Sequence, residues 1–213
     1  MVLKLYGVTG WGGTDRVLVI LREKGVPYEL HEVDTKNKEH KSAAFLEKQP
    51  FGLTPYLDDD GFILYESRAI SYYIAAKYSD QGTQGLIPTD LKANALFQQA
   101  LSNELCNFEA FTYPLILEGL YKRFQGLEVD QKAIDKAISA LDEKLDVYDK
   151  ILSKQKYIAG DELTLADLFH LTSGALLPSC GYHGLKTKPN VARWWNEISS
   201  RPSWQATKGP NAL

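Results

Sequence analysis

The segment from Gln49 to Ile70 constrains the fold of this chain more than any other, and it reads QPFGLTPYLDDDGFILYESRAI. Two short apolar runs flank the acidic turn Asp58–Gly61, and this arrangement predicts an antiparallel hairpin. Glu66-Ser67 then begins an amphipathic helix. Thr54-Pro55 precedes the first strand of the hairpin, where proline cannot donate to a sheet and an X-Pro bond can be cis.

Ser67 indicates what this segment could bind. Its hydroxyl lies at a predicted helix start, beside backbone N–H groups that have no partner within the helix. Such a position suits a carboxylate. The segment therefore predicts a site for a peptide-like acid that lies across Thr54 and ends at Ser67.

The residues before this segment predict the rest of a small sheet. Val2–Gly7 and Tyr28–Val33 alternate as strands do, and between them a glycine-rich loop, Val8–Gly13, leads into a helix. Thr14-Asp15 can cap that helix, and Gly25 stands where a glycine is favoured after the last turn. A strand, a helix and a strand followed by a hairpin predict a mixed four-stranded sheet in a thioredoxin-like α/β domain.

The second half of the chain is predicted to be all-α. Ser79–Asp90 is rich in polar residues and glycine, which is typical of a linker. Beyond it apolar residues recur only with helical spacing, and we expect Pro114 to kink or interrupt the first long helix. Thr164 and Asp167 form a capping-box pattern before an apolar helix. We expect a thioredoxin-like domain over residues 1–79, a linker over 80–90 and an all-helical domain over 91–213.

Composition excludes several classes of partner. The formal net charge of −3 and pI near 5.8 provide no basic face for nucleic acid. No apolar run approaches the roughly 20 residues that span a bilayer, so no membrane partner is expected. Cys106 and Cys180 show no metal-ligand spacing and cannot build a disulfide framework. We therefore expect no metal site and a reducing, cytoplasmic location.

Several motifs, taken together and in order, resemble the cytosolic glutathione transferases over the full length of the chain. The similarity is closest to the phi class. Each motif alone is weak, but their joint occurrence at these separations is specific. The matching segments are Lys38–Ser42, Gln49–Gly52, Thr54-Pro55, Glu66–Ile70, Leu163–Leu168, Trp194-Trp195 and Ile198–Pro202.

The resemblance implies that the first domain binds glutathione as a co-substrate. Glu66 and Ser67 match the pair that holds the γ-glutamyl end, since a hydroxyl at a helix start suits its carboxylate and an acid suits its ammonium. Thr54, before the expected cis-proline Pro55, matches the residue whose main chain pairs with the cysteinyl part. The alternatives are that Ser67 only caps its own helix and that Pro55 is an ordinary trans proline.

His40 and Lys41 match the residues that contact the glycyl carboxylate, for which cationic or N–H donors are suited. The alternative is that the lysines of this segment form a solvated loop. One polar contact of the phi pattern is missing, because Leu53 stands where a glutamine is common.

The first loop departs further from the phi pattern. The position of the catalytic serine holds Trp11, and the loop VTGWGG contains no serine. The family's chemistry needs a donor near the glutathione sulfur, because a hydrogen bond to the thiolate lowers its pKa. The candidate donors are the hydroxyls of Thr9 and Thr14 and the backbone N–H groups of Gly12 and Gly13. For Thr14 a plain helix cap is the competing interpretation, and strand alternation makes Tyr6 structural.

The resemblance also implies a hydrophobic pocket for an electrophile, formed by the first loop and the first long helix of the second domain. Aromatic side chains suit flat hydrophobic ligands, although an aromatic stripe at helical spacing is equally typical of a core. The candidates are Trp11, Phe108, Phe111, Tyr113 and Leu117. His170 is better interpreted as a core histidine than as a base.

Two functions follow from these features. The first is an enzyme that conjugates the glutathione thiolate to hydrophobic electrophiles, with peroxidase activity as a possible addition. The second is a ligandin, a glutathione-dependent binding protein for hydrophobic or aromatic small molecules with little or no catalysis. The intact glutathione motifs favour the enzyme, and Trp11 favours the ligandin. In either case the resemblance implies a homodimer.

Overall fold

The structure is a computed structural model that describes residues 2–10 and 12–208. The chain divides into two compact units. The first contains the chain up to Leu86, and the second runs from Ile87 to Arg201.

A four-stranded mixed sheet forms the centre of the first unit, in the order β2-β1-β3-β4. The parallel pair β1–β2 places Leu5 opposite Leu30, and the antiparallel pair β1–β3 places Leu5 opposite Leu57. The hairpin β3–β4 turns at Asp60 and Gly61, which both have positive φ as a tight hairpin turn requires. The strands are β1 (Leu3–Gly7), β2 (Tyr28–Glu32), β3 (Tyr56–Asp59) and β4 (Phe62–Tyr65).

Helices accompany this sheet, and those that follow β1 and β4 are predicted from the sequence, whereas the segment after β2 is expected to be irregular. The helices are α1 (Gly13–Glu23), α2 (Ala43–Leu46) and α3 (Ser67–Lys77), with a 3₁₀ turn at Glu39–Lys41. The apolar residues Val17–Leu21 of α1 are all buried. Gly25, just after α1, has φ +61°, which confirms its predicted role after the last turn.

The rings on one side of the sheet form a stacked cluster. Tyr6 lies between His31 and Tyr56, with ring centroids 4.5 Å apart in both pairs. Phe45 of α2 meets the Tyr56 ring edge-on at 5.2 Å. Tyr6 therefore packs within the sheet, as strand alternation predicts.

The second unit is helical. A long helix is built from α4 (Leu91–Asn103), a π segment, α5 (Ala110–Ile116), a second π segment and α6 (Lys122–Phe124). The two π segments are Glu104–Glu109 and Leu117–Tyr121. The remaining elements are α7 (Gln131–Leu152), α8 (Leu165–Leu168), α9 (His170–Leu176), a 3₁₀ turn at Leu177–Cys180, α10 (Gly184–Thr187) and α11 (Pro189–Ser199).

Pro114 lies inside α5, and helical structure continues on both sides of it. The predicted interruption is therefore not observed. A π segment adjoins α5 at each end, and such wider turns accommodate a disturbance of the regular hydrogen-bond ladder without ending the helix.

Asp167 organises the buried start of α8. Its carboxylate accepts hydrogen bonds from the backbone N–H groups of Ile158 and Thr164 and from the Trp194 indole, at 2.9–3.0 Å. Thr164 is the N-cap of α8, so the predicted capping box is confirmed. Burial raises the pKa of Asp167, while these donors favour its charged form.

His170 is a core residue, as predicted, and is fully buried. Its Nδ1 lies 2.7 Å from the Ala166 carbonyl, which can only accept, so this nitrogen carries the proton. Nε2 then accepts from the Tyr148 hydroxyl at 3.1 Å. With both nitrogens engaged in the core, His170 is not placed to act as a base on a ligand.

The last helix, α12 (Pro202–Thr207), belongs to the first unit. The Ser203 hydroxyl donates to the Glu23 carboxylate, and Arg22 Nη1 donates to the Thr207 hydroxyl at 2.6 Å. The sequence predicts α12 within the helical domain, whereas these bonds attach it to the end of α1.

Among the described residues, no helix combines the length and apolar character needed to cross a bilayer.

Candidate active site

The start of α1 closely approaches the Thr54-Pro55 step and the start of α3. A β-carbon built on Gly13 would lie 3.0 Å from Pro55 Cδ, 3.2 Å from the Thr54 carbonyl oxygen and 3.6 Å from Ser67 Cβ. Only glycine allows this approach without displacing its neighbours. Segments far apart in the sequence therefore meet at one point, which contains the candidates Gly13, Thr54, Pro55 and Ser67.

The peptide bond between Thr54 and Pro55 is cis, as the resemblance implies. Pro55 is buried and directly precedes β3, while Thr54 is partly exposed.

Glu66 and Ser67 form the start of α3. Glu66 is the N-cap, with φ +70° and no capping hydrogen bond from its side chain. A non-glycine residue in this region costs on the order of 1–3 kcal/mol, and such residues concentrate at ligand sites. Ser67 is the first helical residue, so the interpretation of Ser67 as the cap of its own helix is wrong.

The Ser67 hydroxyl accepts a hydrogen bond from a side chain of α1. Arg16 Nη1 donates to Ser67 Oγ at 2.8 Å, and both residues are buried. A guanidinium has no acceptor, so Ser67 Oγ must be the acceptor in this bond.

His40 and Lys41 lie on a segment that contacts the residues just before Thr54. Lys41 Nζ donates to the Gly52 carbonyl at 2.7 Å and lies 3.4 Å from the Phe51 carbonyl. A β-carbon on Gly52 would lie 2.8 Å from the His40 carbonyl oxygen, so the two segments touch at this glycine. Lys41 is exposed, as the solvated-loop interpretation requires, and its amine also bonds to the Gly52 carbonyl.

Asp15 holds the glycine-rich loop from within α1. One carboxylate oxygen accepts from the Gly10 N–H at 3.1 Å, and the other lies 3.5 Å from the Gly12 nitrogen. Gly12 is the N-cap of α1, with φ +118°. The cap predicted at Thr14-Asp15 therefore lies earlier, because Asp15 turns back to the loop from the first turn of the helix.

Thr14 lies in a position that does not suit its predicted role as a donor to the thiol. It is 1% exposed, and its Oγ1 accepts from the Val8 N–H at 3.1 Å. A β-carbon on Gly7 would lie only 2.3 Å from this oxygen, so the hydroxyl is enclosed between β1 and α1. Thr14 therefore joins the two ends of the loop.

Thr9 is directed to the edge of the sheet. Its hydroxyl donates to the Glu32 carboxylate at 3.0 Å, in an exposed contact. Both candidate hydroxyls are therefore engaged elsewhere. The remaining candidate donors to the thiol are the backbone N–H groups of Gly12 and Gly13 at the start of α1. Of the two, the Gly12 N–H is the one near the Asp15 carboxylate.

The structure separates the candidates for the hydrophobic pocket. Phe108 is fully buried, and its ring lies 4.6 Å from the ring of His170 in the core of the second unit. Its prediction as a ligand-contacting residue is therefore wrong. Phe111 is half-buried beneath the Lys144 amine, whereas Tyr113 and Leu117 are 53% and 39% exposed. Trp11 lies outside the described residues.

Sequence reasoning missed three contributors, namely Gly13 as a packing glycine and the side chains of Asp15 and Arg16. A signal was present, since charged residues directly precede the apolar run Val17–Leu21 and are buried with it. Charged residues are almost never fully buried unless paired, so a partner was to be expected. The sequence did not show which partner.

Among the described residues, no group of three or more His, Cys, Asp or Glu side chains is placed to hold a metal ion.

Comparison with known protein families identifies the family to which the chain belongs. The family model described as the glutathione S-transferase N-terminal domain matches residues 1–76, and the model of the C-terminal domain matches residues 98–202. This chain belongs to the glutathione S-transferase family. It is a transferase enzyme by family, and its predicted fold class is confirmed.

Individual relatives agree with this family over nearly the whole chain. Glutathione S-transferase hmp2 of Hypomyces subiculosus is 45% identical over 208 residues, covering 96% of each chain. The crystal structure of glutathione transferase F7 from Populus trichocarpa superposes with a TM-score of 0.91 at 37% identity, covering 97% of each chain. Glutathione S-transferase I from maize, in complex with an atrazine glutathione conjugate, has a TM-score of 0.89 at 33% identity, covering 97% of this chain and 96% of that one. The F-type relatives confirm the resemblance to the phi class.

Proposed function

We propose that this transferase conjugates the thiolate of glutathione to hydrophobic electrophiles. The observation that carries the proposal is the meeting of Gly13, Thr54-Pro55 and Ser67 at the positions where the family resemblance puts glutathione. Glutathione serves as co-substrate, and no metal takes part. The relatives are named as transferases, and the maize structure holds a glutathione conjugate, so the ligandin alternative is not favoured.

In this proposal Ser67 and Glu66 hold the γ-glutamyl end of glutathione. The Ser67 hydroxyl and the first N–H groups of α3 donate to the carboxylate, and the helix dipole adds to the attraction. The exposed Glu66 carboxylate pairs with the ammonium. The unfavourable φ of Glu66 supports this role, because it places an acid at a helix start where the side chain makes no cap.

The remainder of glutathione is proposed to run from Thr54 towards His40 and Lys41. The Thr54 main chain pairs with the cysteinyl part. His40 and Lys41 receive the glycyl carboxylate, and Lys41 Nζ has a third proton beyond its contacts with Phe51 and Gly52. The contact of Lys41 with Gly52 supports this order, because it brings a cation within two residues of Thr54.

We propose that backbone donors at the start of α1 stabilise the thiolate, chiefly the Gly13 N–H. In this interpretation the family's serine position holds Trp11, and no side-chain hydroxyl replaces the serine. The enclosure of Thr14 and the engagement of Thr9 with Glu32 support this. A helix N-terminus favours an anion and lowers the pKa of a thiol beside it.

The proposed reaction is a nucleophilic substitution or addition at carbon. The thiol proton passes to solvent, and the thiolate electron pair forms a new carbon–sulfur bond. In a substitution, the leaving group departs with the electron pair of the bond that breaks. In an addition, the π bond of the electrophile breaks and its electron pair takes up a proton from solvent. Holding the sulfur close to the electrophilic carbon supplies part of the rate enhancement.

Tyr113 and Leu117 are the proposed contacts for the electrophile. They are exposed and four residues apart on a helical segment, so they share a face. Phe111 is a less favourable contact, because the Lys144 amine lies 4.7 Å from the centre of its ring.

We further propose a homodimer in the cytoplasm. Phe51 and Leu53 are 64% and 56% exposed next to Thr54, and a second copy would remove these apolar side chains from water. The two cysteines are free thiols, which fits a reducing compartment.

The conjugation of an aryl halide, measured with Ser67→Ala beside the unchanged protein, tests the proposal. Loss of a hydrogen bond to a charged ligand group costs roughly 1.5–3 kcal/mol, so we expect the KM for glutathione to rise about 10-fold or more. Ser71→Ala is the matched control, because Ser71 is a second buried serine one turn further along α3. It should leave the KM unchanged.

The ionisation of bound glutathione separates catalysis from binding alone. We expect the thiolate absorbance of the complex to appear below the pKa of about 8.5 of a free cysteine thiol. A bound thiol that titrates like free glutathione, with no turnover on several electrophiles, would overturn the enzymatic proposal and restore the ligandin.

A further inference from the structure

Arg16 and Ser67 are joined by a buried hydrogen bond across 51 positions of sequence. Arg16 is 5% exposed and Ser67 is 9% exposed. Gly13 and Arg16 are three residues apart and share one face of α1, which packs against the start of α3. The glycine permits the approach of the helices, and the arginine reaches the serine one turn further on.

The bond determines what the serine hydroxyl can do. A free serine hydroxyl rotates and can donate or accept. Because the guanidinium only donates, it occupies a lone pair of Ser67 Oγ and leaves the hydroxyl proton for another acceptor. Ser67 is not the N-cap of α3, so its oxygen is not needed to accept a backbone N–H of its own helix.

We propose that Arg16 is a positioning residue that holds the Ser67 O–H as a donor towards the γ-glutamyl carboxylate. This inference rests on the proposed function, in which Ser67 contacts that carboxylate. Because the Arg16 guanidinium donates to Ser67 Oγ, we assign its effect on the ligand to Ser67. A charged donor on the serine oxygen also polarises the hydroxyl and strengthens its own donation.

The geometry calls for arginine rather than any cation. A guanidinium is a rigid planar fork, whereas a lysine amine is a compact charge on a flexible stem. Arg16→Lys keeps the charge but loses the fixed direction of the bond. It should therefore give a loss of glutathione affinity smaller than that of Arg16→Met.

The test is a double-mutant cycle on the full chain with Arg16→Met, Ser67→Ala and both together. Two ligands are titrated: glutathione, and an analogue in which γ-aminobutyrate replaces the γ-glutamyl residue and removes the α-carboxylate. We expect Arg16→Met and Ser67→Ala each to weaken glutathione binding about 10-fold. The double variant should bind within about 2-fold of Ser67→Ala alone, because coupled residues are not additive. For the analogue, Arg16→Met should change the affinity by less than about 2-fold.

Arg22→Met is the matched control, because Arg22 lies on the same helix and also donates to a hydroxyl, that of Thr207. It should leave the affinity for both ligands unchanged. Arg16→Lys serves as the test variant if Arg16→Met does not fold, as judged by circular dichroism and the thermal midpoint.

Four outcomes are decisive. Equal losses for glutathione and the analogue in the Arg16 variant would show a merely structural role and overturn the inference. Losses that multiply in the double variant would overturn it as well. If Ser67→Ala leaves glutathione binding unchanged, the proposed binding role of Ser67 fails and the inference fails with it. If Ser67→Ala weakens binding and Arg16→Met does not, only the inference fails.

Discussion

The two parts of the candidate site are stabilised in different ways. The holding half consists of Thr54, Pro55, Glu66 and Ser67, and it depends on contacts between elements far apart in sequence, such as the Arg16–Ser67 bond. The described residues of the loop Val8–Gly13 are held mainly by their neighbours Thr14 and Asp15, with one exposed bond from Thr9 to Glu32. A contact between distant elements fixes a side chain against the whole fold, whereas local contacts fix only the path of the loop.

This difference bears on chemistry as well as on architecture. In the proposed function the holding half supplies the side chains of Glu66 and Ser67 and the main chain of Thr54 to the ligand, and the loop supplies only backbone. Mutations of side chains in the holding half should therefore change binding. Mutations of side chains around the loop should change stability and leave the chemistry intact.

The largest effect is expected where the two parts meet, in Gly13→Val. Its side chain would push against Pro55 Cδ and the Thr54 carbonyl, which already lie 3.0 Å and 3.2 Å from a β-carbon at this position. Overpacking of this kind costs about 1–3 kcal/mol of unfolding free energy and should also raise the KM for glutathione. Denaturant unfolding and steady-state kinetics measure the two effects. Unchanged values for both would show that α1 and the holding half are not in close contact.

Thr14→Val is expected to lower stability without changing the chemistry. The variant keeps the shape of the side chain but leaves the Val8 N–H without its acceptor, at a cost of about 1–3 kcal/mol. Thermal denaturation should show a lower midpoint, and Thr14→Ser should retain most of the stability. The ionisation of bound glutathione should not move. If the thiol pKa rises towards that of free glutathione, Thr14 activates the thiol after all.

We expect the Tyr56→Phe substitution to change the free energy of unfolding only at alkaline pH. Burial raises the pKa of Tyr56 to about 12, whereas an unfolded tyrosine titrates near 10. The unfolded state therefore loses this proton first, and the resulting contribution to stability is present below about pH 10 and lost as the pH rises towards 12. Between these values the unchanged protein should lose stability relative to Tyr56→Phe, as measured by urea unfolding. Parallel curves for the two proteins would contradict this.

Thr9→Ala is expected to have the smallest effect. Its bond to Glu32 is exposed, and surface changes of this type usually fall within about 0.5 kcal/mol. Stability and aryl-halide turnover should both stay at the level of the unchanged protein. A marked fall in turnover would identify Thr9 as the thiol donor and give the loop a catalytic side chain.

Sequence reasoning succeeded where the signal is local. The hairpin around Asp60-Gly61, the end of α1 before Gly25 and the start of α3 at Ser67 each follow from residues within one turn or one strand pair. These features combine into a strand order that connection rules restrict to few alternatives. The fold could therefore be predicted almost completely.

The candidate site was harder to predict, because it depends on contacts between elements that are far apart in the sequence. The Arg16–Ser67 bond and the approach of Gly13 to Pro55 depend on how distant elements pack, and no local pattern specifies such a pairing. Phe108 shows the same limit, since helical spacing identified an aromatic stripe but not which members face the core. The packing of the chain after Pro202 could not be predicted either, because the signal that ends one helix does not indicate where the next helix packs.

The return of α12 to the first unit has a consequence for how the protein is made. The first unit is discontinuous in sequence, since α12 lies more than 100 residues after Leu86 and is synthesised after the entire second unit. Its bonds to Arg22 and Glu23 can form only after the second unit has been synthesised. A chain that stops anywhere before Pro202 would lack this helix, and the end of α1 would lose its bonds to Ser203 and Thr207.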